Sequence, residues 1–268
     1  MGRTKQAYKF NRKKNMKSSP LNLNLNLNLN DDINKDFFYK KKIIIWQRKK
    51  GYRFSVDAPI LADFLPSSPS EEALEIGTGC GIISMLALYK KKFSKIYAVE
   101  IQESLSHLAE MNAKQNGFSK QFQVIQGDFN KNYKNFSRLG LRCIFSNPPY
   151  FQVRRGRLSP YPEIRNAKTE ITLTLNELLV KSRAILSEKG SLHLILPYER
   201  FDELLKISGE IGFFTRKIRE IFSFKDGKPE RFLVQLAIEN ISLKKMEPLV
   251  IFKKKGIYTE QMDEILTG

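Results

Sequence analysis

Glu75-Ile76-Gly77-Thr78-Gly79-Cys80-Gly81 is the stretch that decides the fold. An apolar run, Ala73 to Ile76, leads into it, and Ile82 to Lys90 follows with the spacing of a helix. Glycines at alternate positions let the backbone turn sharply and come close to a ligand. A dinucleotide fingerprint wants its third glycine where this chain has Ile82. No Lys-Ser/Thr pair follows, so a nucleotide-phosphate loop is excluded too. The tighter Gly-x-Gly-x-Gly, with Glu75 before it, suits a cofactor made of a nucleoside and an amino acid without a pyrophosphate. Gly77, Thr78, Gly79 and Gly81 would then cradle it, and Glu75 would meet its ammonium directly or through water.

Outward from this turn, strands and helices alternate, the mark of a parallel sheet. After a loop at 66–70, strands are expected at 73–76, 95–100, 121–126, 141–146 and 191–196, the last stopped by Pro197. Helices are expected at 82–90, at 103–116 with Gly117 as its cap, at the Leu175 to Leu186 periodicity, and at 199–209. Two final strands, 214–222 and 231–238, are joined by Asp226-Gly227-Lys228-Pro229 as a hairpin. Upstream, Ile43 to Gln47, a basic turn Arg48 to Gly51, and the alternating Tyr52, Phe54 and Val56 read as another hairpin. A short helix follows through Ile60, Leu61, Phe64 and Leu65. The expected fold is therefore α/β: a seven-stranded, mostly parallel Rossmann-like sheet with helices on both faces. It ends in an antiparallel hairpin and carries an N-terminal hairpin extension.

The 268 residues suffice for one full domain, and the net charge of +18 points to a polyanionic partner. Seven cations and no acid fall in the first thirty residues, which leaves +11 on the remainder. The basic character belongs to the domain as well as to its start. Residues 1–36 read as a disordered basic, low-complexity tail because Leu21 to Asn30 is a bare Leu-Asn alternation. Residues 37–268 read as the catalytic domain. Cys80 and Cys143, His107 and His193 have no metal-ligand spacing, so no metal is expected. No apolar span reaches membrane length and no apolar core follows the basic start, so a cytoplasmic protein is expected. His193 is expected to pack or bond within its strand.

Each strand end carries a chemically useful residue. Glu100 ends the second strand, where a carboxylate accepts both hydroxyls of a ribose. Asp128 follows the third, placed to accept an adenine amino group while Phe129 packs on the ring. Either acid alone also reads as an ordinary helix-entry or turn residue. Asn147-Pro148-Pro149-Tyr150 follows the fourth strand and would make a stiff tip rich in acceptors and capped by a ring. Such a tip suits a planar group with an exocyclic –NH2, although a plain turn uses the same residues.

With these motifs in place the chain resembles the S-adenosylmethionine-dependent methyltransferases of the seven-stranded class, in their amino-group methylating branch. Tyr52 to Ala58, Asn147 to Phe151, and Ala167-Lys168-Thr169-Glu170 are similar to stretches of the bacterial tRNA(Val) adenine-N6 methyltransferase family. That family more often shows Ala-Arg-His-Glu at the last of these, and the Leu-Asn tail lies outside its pattern.

The resemblance implies S-adenosylmethionine as cofactor, tRNA as partner, and methylation of the adenine just 3′ of the anticodon. It places Asp57 near the cofactor's amino-acid end. Asn147 and the Pro148 carbonyl would accept the two N–H bonds of the target amine, with Pro149 stiffening the tip and Tyr150 stacking on the base. Phe151, Arg154, Arg155, Arg165 and Lys168 are the candidate substrate contacts, with Arg157, Lys40 to Lys42 and Arg48 to Lys50 as further phosphate contacts. Glutamine-N5 methylation of a release factor and guanine-N2 methylation of rRNA would use the same tip. A non-catalytic RNA-binding protein on this fold is the reading from another class. The expected state is a monomer or weak homo-oligomer.

Overall fold

The computed structural model describes residues 33–49, 53–148 and 173–268, and the folded unit runs from Ile33 to Gly268. It opens with an antiparallel hairpin, β1 (Ile33–Phe38) and β2 (Ile43–Arg48), and a helix α1 (Asp57–Phe64). The alternating part follows: β3 (Ser68–Ile76), α2 (Ile82–Tyr89), β4 (Phe93–Glu100), α3 (Glu103–Gln115), β5 (Phe122–Gln126), α4 (Phe129–Asn132) and β6 (Leu141–Ser146). Next come α5 (Leu175–Ile185), β7 (Leu186–Pro197), α6 (Phe201–Ile211), β8 (Phe214–Phe222) and β9 (Pro229–Ala237). Short strands β10 (Lys244–Lys245), β11 (Leu249–Val250), β12 (Phe252–Lys254) and β13 (Ile257–Tyr258) precede the closing helix α7 (Glu260–Thr267).

The central sheet runs β5-β4-β3-β6-β7-β9-β8, with β10 and β11 added at the β8 edge. Strands β3 to β7 pair in parallel, and β9 lies antiparallel between β7 and β8. The chain steps outward from β3 to β5, then returns to place β6 on the other side of β3. That reversal opens a crevice at the carboxyl ends of β3 and β6, where open sheets bind ligands.

Both faces of the sheet are covered, so its central strands bury apolar residues at consecutive positions, such as Ala73 and Leu74 or Cys143 to Phe145, rather than only at alternate ones. Ala73, Ala98, Cys143, Phe145, Ile195 and Leu233 face the core formed with α1, α2, α3 and the hairpin. Leu74, Val99, Ile144, Leu194 and Val234 face the opposite core with α5 and α6. One ladder residue therefore serves one core and its neighbour the other.

The N-terminal hairpin differs from expectation. The partner of β2 is β1, upstream, with Phe38 opposite Ile43 and Ile33 opposite Arg48. Its turn, Tyr39 to Lys42, puts Tyr39, Lys40 and Lys41 at positive φ. β1 takes in Ile33 to Asp36, which composition alone assigns to the tail. Phe54 and Val56 instead belong to an irregular lead-in, in which the Ala58 N–H bonds to the Ser55 carbonyl at 3.2 Å and starts α1. The Lys50 to Tyr52 part of the expected turn lies outside the described residues.

The loop expected at 66–70 gives way at Ser68, whose N–H bonds to Lys92 O at 2.7 Å and draws the chain into β3. Pro69, which has no N–H to donate, falls within the irregularity between Ser68 and Glu72. β6 and β8 have the expected limits. α6 starts later than expected because Tyr198 to Arg200 form a 3-10 turn after Pro197. No helix among the described residues is long and apolar enough to cross a membrane.

Candidate active site

The glycine turn leaves β3 beside β4 and is tied to it by main chain. Gly77 N and Thr78 N both bond to Val99 O, at 2.9 and 3.2 Å, and Gly79 N bonds to Glu100 Oε2 at 2.8 Å. Gly77 and Gly81 sit at φ +73° and +85°, where an L side chain is strained. A Cβ on Gly81 would meet Ala109 Cβ of α3 at 3.3 Å, so this glycine lets the turn approach α3 closely. Gly77 is different: nothing lies within 4 Å of where its Cβ would be, so its backbone faces open space.

Glu75 lies beneath this turn and is fully buried. Its Oε2 accepts from Thr78 Oγ1 at 2.6 Å and from Ser84 Oγ on the first turn of α2. Its Oε1 has no hydrogen-bond partner. Burial is the larger effect and the hydroxyls oppose it, leaving the carboxyl pushed up to about 7. Thr78 therefore serves the turn through Glu75. Ser84 joins them unannounced by sequence, except as the one serine in an apolar helix.

Glu100 ends β4 and is nearly buried. Its Oε1 accepts from Gln102 N at 2.9 Å, so one carboxylate ties the glycine turn to the entry of α3. Burial raises its pKa although three main-chain N–H groups oppose the shift. Each oxygen keeps a further lone pair for a hydroxyl. Asp128 caps α4, with Asn130 N at 2.8 Å from its Oδ1. Phe129 is buried in the core, its ring centre 6.3 Å from that of Tyr133.

On the other side of the reversal, β6 delivers Asn147 and Pro148 to the same edge. Ser146 Oγ donates to Ile76 O at 2.6 Å and clamps the tip of β6 to the tip of β3. Asp57, the first residue of α1, is buried and holds Arg231 Nε at 2.8 Å. Arg231 opens β9 opposite Pro197, hence at this same edge, and nothing in the sequence singles it out. Pro149, Tyr150, Phe151, Arg154, Arg155, Arg165 and Lys168 lie outside the described residues.

Other reactive groups are structural. His193 bonds through Nε2 to Ser191 Oγ at 2.9 Å, and burial lowers its pKa to about 3. Burial pushes the Cys80 thiol up to about 12, which removes it as a nucleophile. Among the described residues there is no cluster of His, Cys, Asp or Glu able to hold a metal ion.

A parallel sheet reversed between β3 and β6, a glycine turn over one buried carboxylate, and an antiparallel β9 slotted beside β7 define the class of Rossmann-like methyltransferases. Solved structures agree on the fold. A predicted O-methyltransferase from Agrobacterium tumefaciens superposes with a TM-score of 0.60 at 18% identity, over 78% of this chain and 94% of that one. The M. jannaschii tRNA m1G37 methyltransferase gives 0.52 at 16%, over 75% and 55%. The methyltransferase small domain family matches residues 53–206, and the chain belongs to that family. Among curated proteins, it is 28% identical to the tRNA1(Val) (adenine(37)-N6)-methyltransferase of Actinobacillus pleuropneumoniae serotype 7, over 85% of this chain and 94% of that protein. It is 25% identical to the protein of the same name from Parabacteroides distasonis, over 85% and 95%.

Proposed function

We propose that this enzyme transfers the methyl group of S-adenosylmethionine to N6 of an adenine in RNA, in a tRNA anticodon loop beside the anticodon. The observation that carries this reading is the clamp from Ser146 Oγ to Ile76 O. It puts the Asn147-Pro148 acceptors next to the strand end from which the cofactor turn departs. The names of the curated relatives support adenine-N6 and tRNA, and favour neither glutamine-N5 nor guanine-N2. A positive domain fits an RNA substrate.

The residues present fit the cofactor. Glu75 Oε1 is a buried acceptor without a partner, suited to an ammonium relayed through the turn. The open face of Gly77 leaves room for a close approach. Glu100 has lone pairs for ribose hydroxyls, and Asp128 presents a half-buried carboxylate for an amino group. When bound, S-adenosylmethionine supplies an electrophilic methyl group on a sulfonium sulfur.

An adenine amine is a poor nucleophile because its lone pair is delocalised into the ring. The Asn147 side-chain oxygen and the Pro148 carbonyl accept its two N–H bonds and draw the nitrogen toward a tetrahedral shape. Fixed acceptors need no reorganisation as charge develops, so positioning supplies the rate. Tyr150 stacks on the base, which an anticodon loop presents partly unstacked.

The test is incubation with labelled cofactor and total tRNA, followed by nucleoside mass spectrometry. Label in N6-methyladenosine is the expected result; label in protein, or in a guanine, rejects the reading.

A further inference from the structure

The β8 side of the sheet gathers rings and cations at the level of the candidate active site. Ile221 of β8 pairs with Arg231 of β9, which pairs in turn with Pro197 of β7. The β8–β9 turn, 223–228, therefore rises from the same edge as Asn147. β11 lies parallel to β8, with Val250 beside Phe222, so the chain leaves β11 at that edge too. Phe252 N then bonds to Ser223 O at 3.0 Å and fastens the β12–β13 hairpin against the β8–β9 turn.

Three rings line up across this joint. Phe224 in the turn lies 5.7 Å from Phe252, and Phe252 stacks on Tyr258 at 5.1 Å. Phe252 and Tyr258 pair across the hairpin and are half-buried, whereas Phe224 is 44% exposed at the outer end of the row. Tyr258, at the inner end, lines one cleft with Phe54 and Val56, which lead into Asp57. The row thus runs from solvent toward the segment that Arg231 ties to the sheet edge.

Cations flank it. Lys225, Lys228, Lys253, Lys254 and Lys255 are exposed in the two turns, against one acid, Asp226. Lys253 is held by Glu260 at 2.8 Å, and Glu230, just beyond the first turn, stands 3.2 Å from Arg231. The other four lysines make no ion pair among the described residues.

A ring that meets water among unneutralised cations matches unpaired RNA. Its bases stack on rings regardless of sequence, and its phosphates meet lysines. An acidic protein surface would meet the cations and leave the ring unused.

We propose that this corner of the sheet edge binds an unpaired stretch of the RNA substrate outside the target nucleotide. One base stacks on Phe224, and the flanking phosphates meet Lys225, Lys228, Lys254 and Lys255. The proposal rests on the RNA reading above and adds a contact region to it.

Fluorescence anisotropy of the full chain with a labelled twelve-nucleotide oligoadenosine tests it. Phe224→Ala should weaken binding roughly 5- to 100-fold, and Phe224→Trp should restore it. Lys254→Ala with Lys255→Ala should flatten the dependence of log affinity on log salt by about 1.4. S-adenosylmethionine affinity, measured on the same variants, should not move. Wild-type RNA affinity in Phe224→Ala, or an unchanged salt slope in the double variant, overturns the proposal. So does an oligoglutamate of equal length that displaces the labelled RNA as well as unlabelled RNA does. Joint loss of RNA and cofactor affinity in Phe224→Ala would assign the ring to the fold and overturn it too. Binding is read without turnover, so a wild-type chain that binds through Phe224 yet makes no N6-methyladenosine overturns only the proposed reaction.

Discussion

Arg231 Nε stands 2.8 Å from Asp57 Oδ1 and joins the start of β9 to the first residue of α1. Asp57 is 1% exposed, so its charge is held in a poorly solvating place by this partner. Breaking such a pair leaves the buried member uncompensated. Arg231→Ala is expected to cost about 2 kcal/mol, since Arg231 itself is partly exposed. A melting curve should show a fall of about 4–8 °C. An unchanged curve would mean that Asp57 is held by its other neighbours.

Asn147→Ala separates chemistry from binding. It removes one acceptor for the target amine and leaves the glycine turn untouched. Turnover should fall by about 100- to 1000-fold, with cofactor affinity by calorimetry changed less than about threefold. Equal loss of both would reassign Asn147 to a structural role.

Gly81→Ala tests the turn from its packed side. The added Cβ meets Ala109 at 3.3 Å, in a backbone region that L residues avoid. A loss of about 1–3 kcal/mol is expected from strain and crowding together, read by urea unfolding. Gly77→Ala, where no atom stands within 4 Å, should lose less stability but should weaken cofactor binding.

Glu75 makes the pH dependence of the cofactor-free protein specific. Its folded pKa, about 7, lies above the ordinary 4.5, so its contribution to stability is present below pH 4.5 and lost as pH rises through 7. His193 has the opposite sign: lowered to about 3, it contributes above 6.5 and loses that contribution as pH falls toward 3. Glu75→Gln should therefore make the decline in melting temperature between pH 5 and 8 shallower, leaving the share that belongs to Glu100, and keep the acid-side decline. A variant that retains the full first slope would contradict the raised pKa of Glu75.

Much of the fold was legible because the doubly covered strands are short apolar runs bounded by turn residues. Leu141 to Ser146 and Phe214 to Phe222 fall where their composition ends. The N-terminal hairpin was misread because Tyr52, Phe54 and Val56 alternate like a strand while serving as a lead-in to α1. Period alone does not say which neighbour a strand will choose. β2 goes to β1 instead, and α3 holds it there through Asn112 Oδ1 on Trp46 N and Asn116 Oδ1 on Ile44 N, at 2.8 and 2.9 Å.

The sequence by itself determined the alternation of strands and helices, the glycine turn and its carboxylate, and the acceptor-bearing tip after β6. All of these are local, set by residue type and spacing within a few positions. Tertiary structure alone decided that Ser146 clamps β6 to β3, that Ser84 joins Thr78 on Glu75, and that Arg231 reaches Asp57. Such meetings depend on which surfaces the sheet order brings together, and no local spacing encodes that.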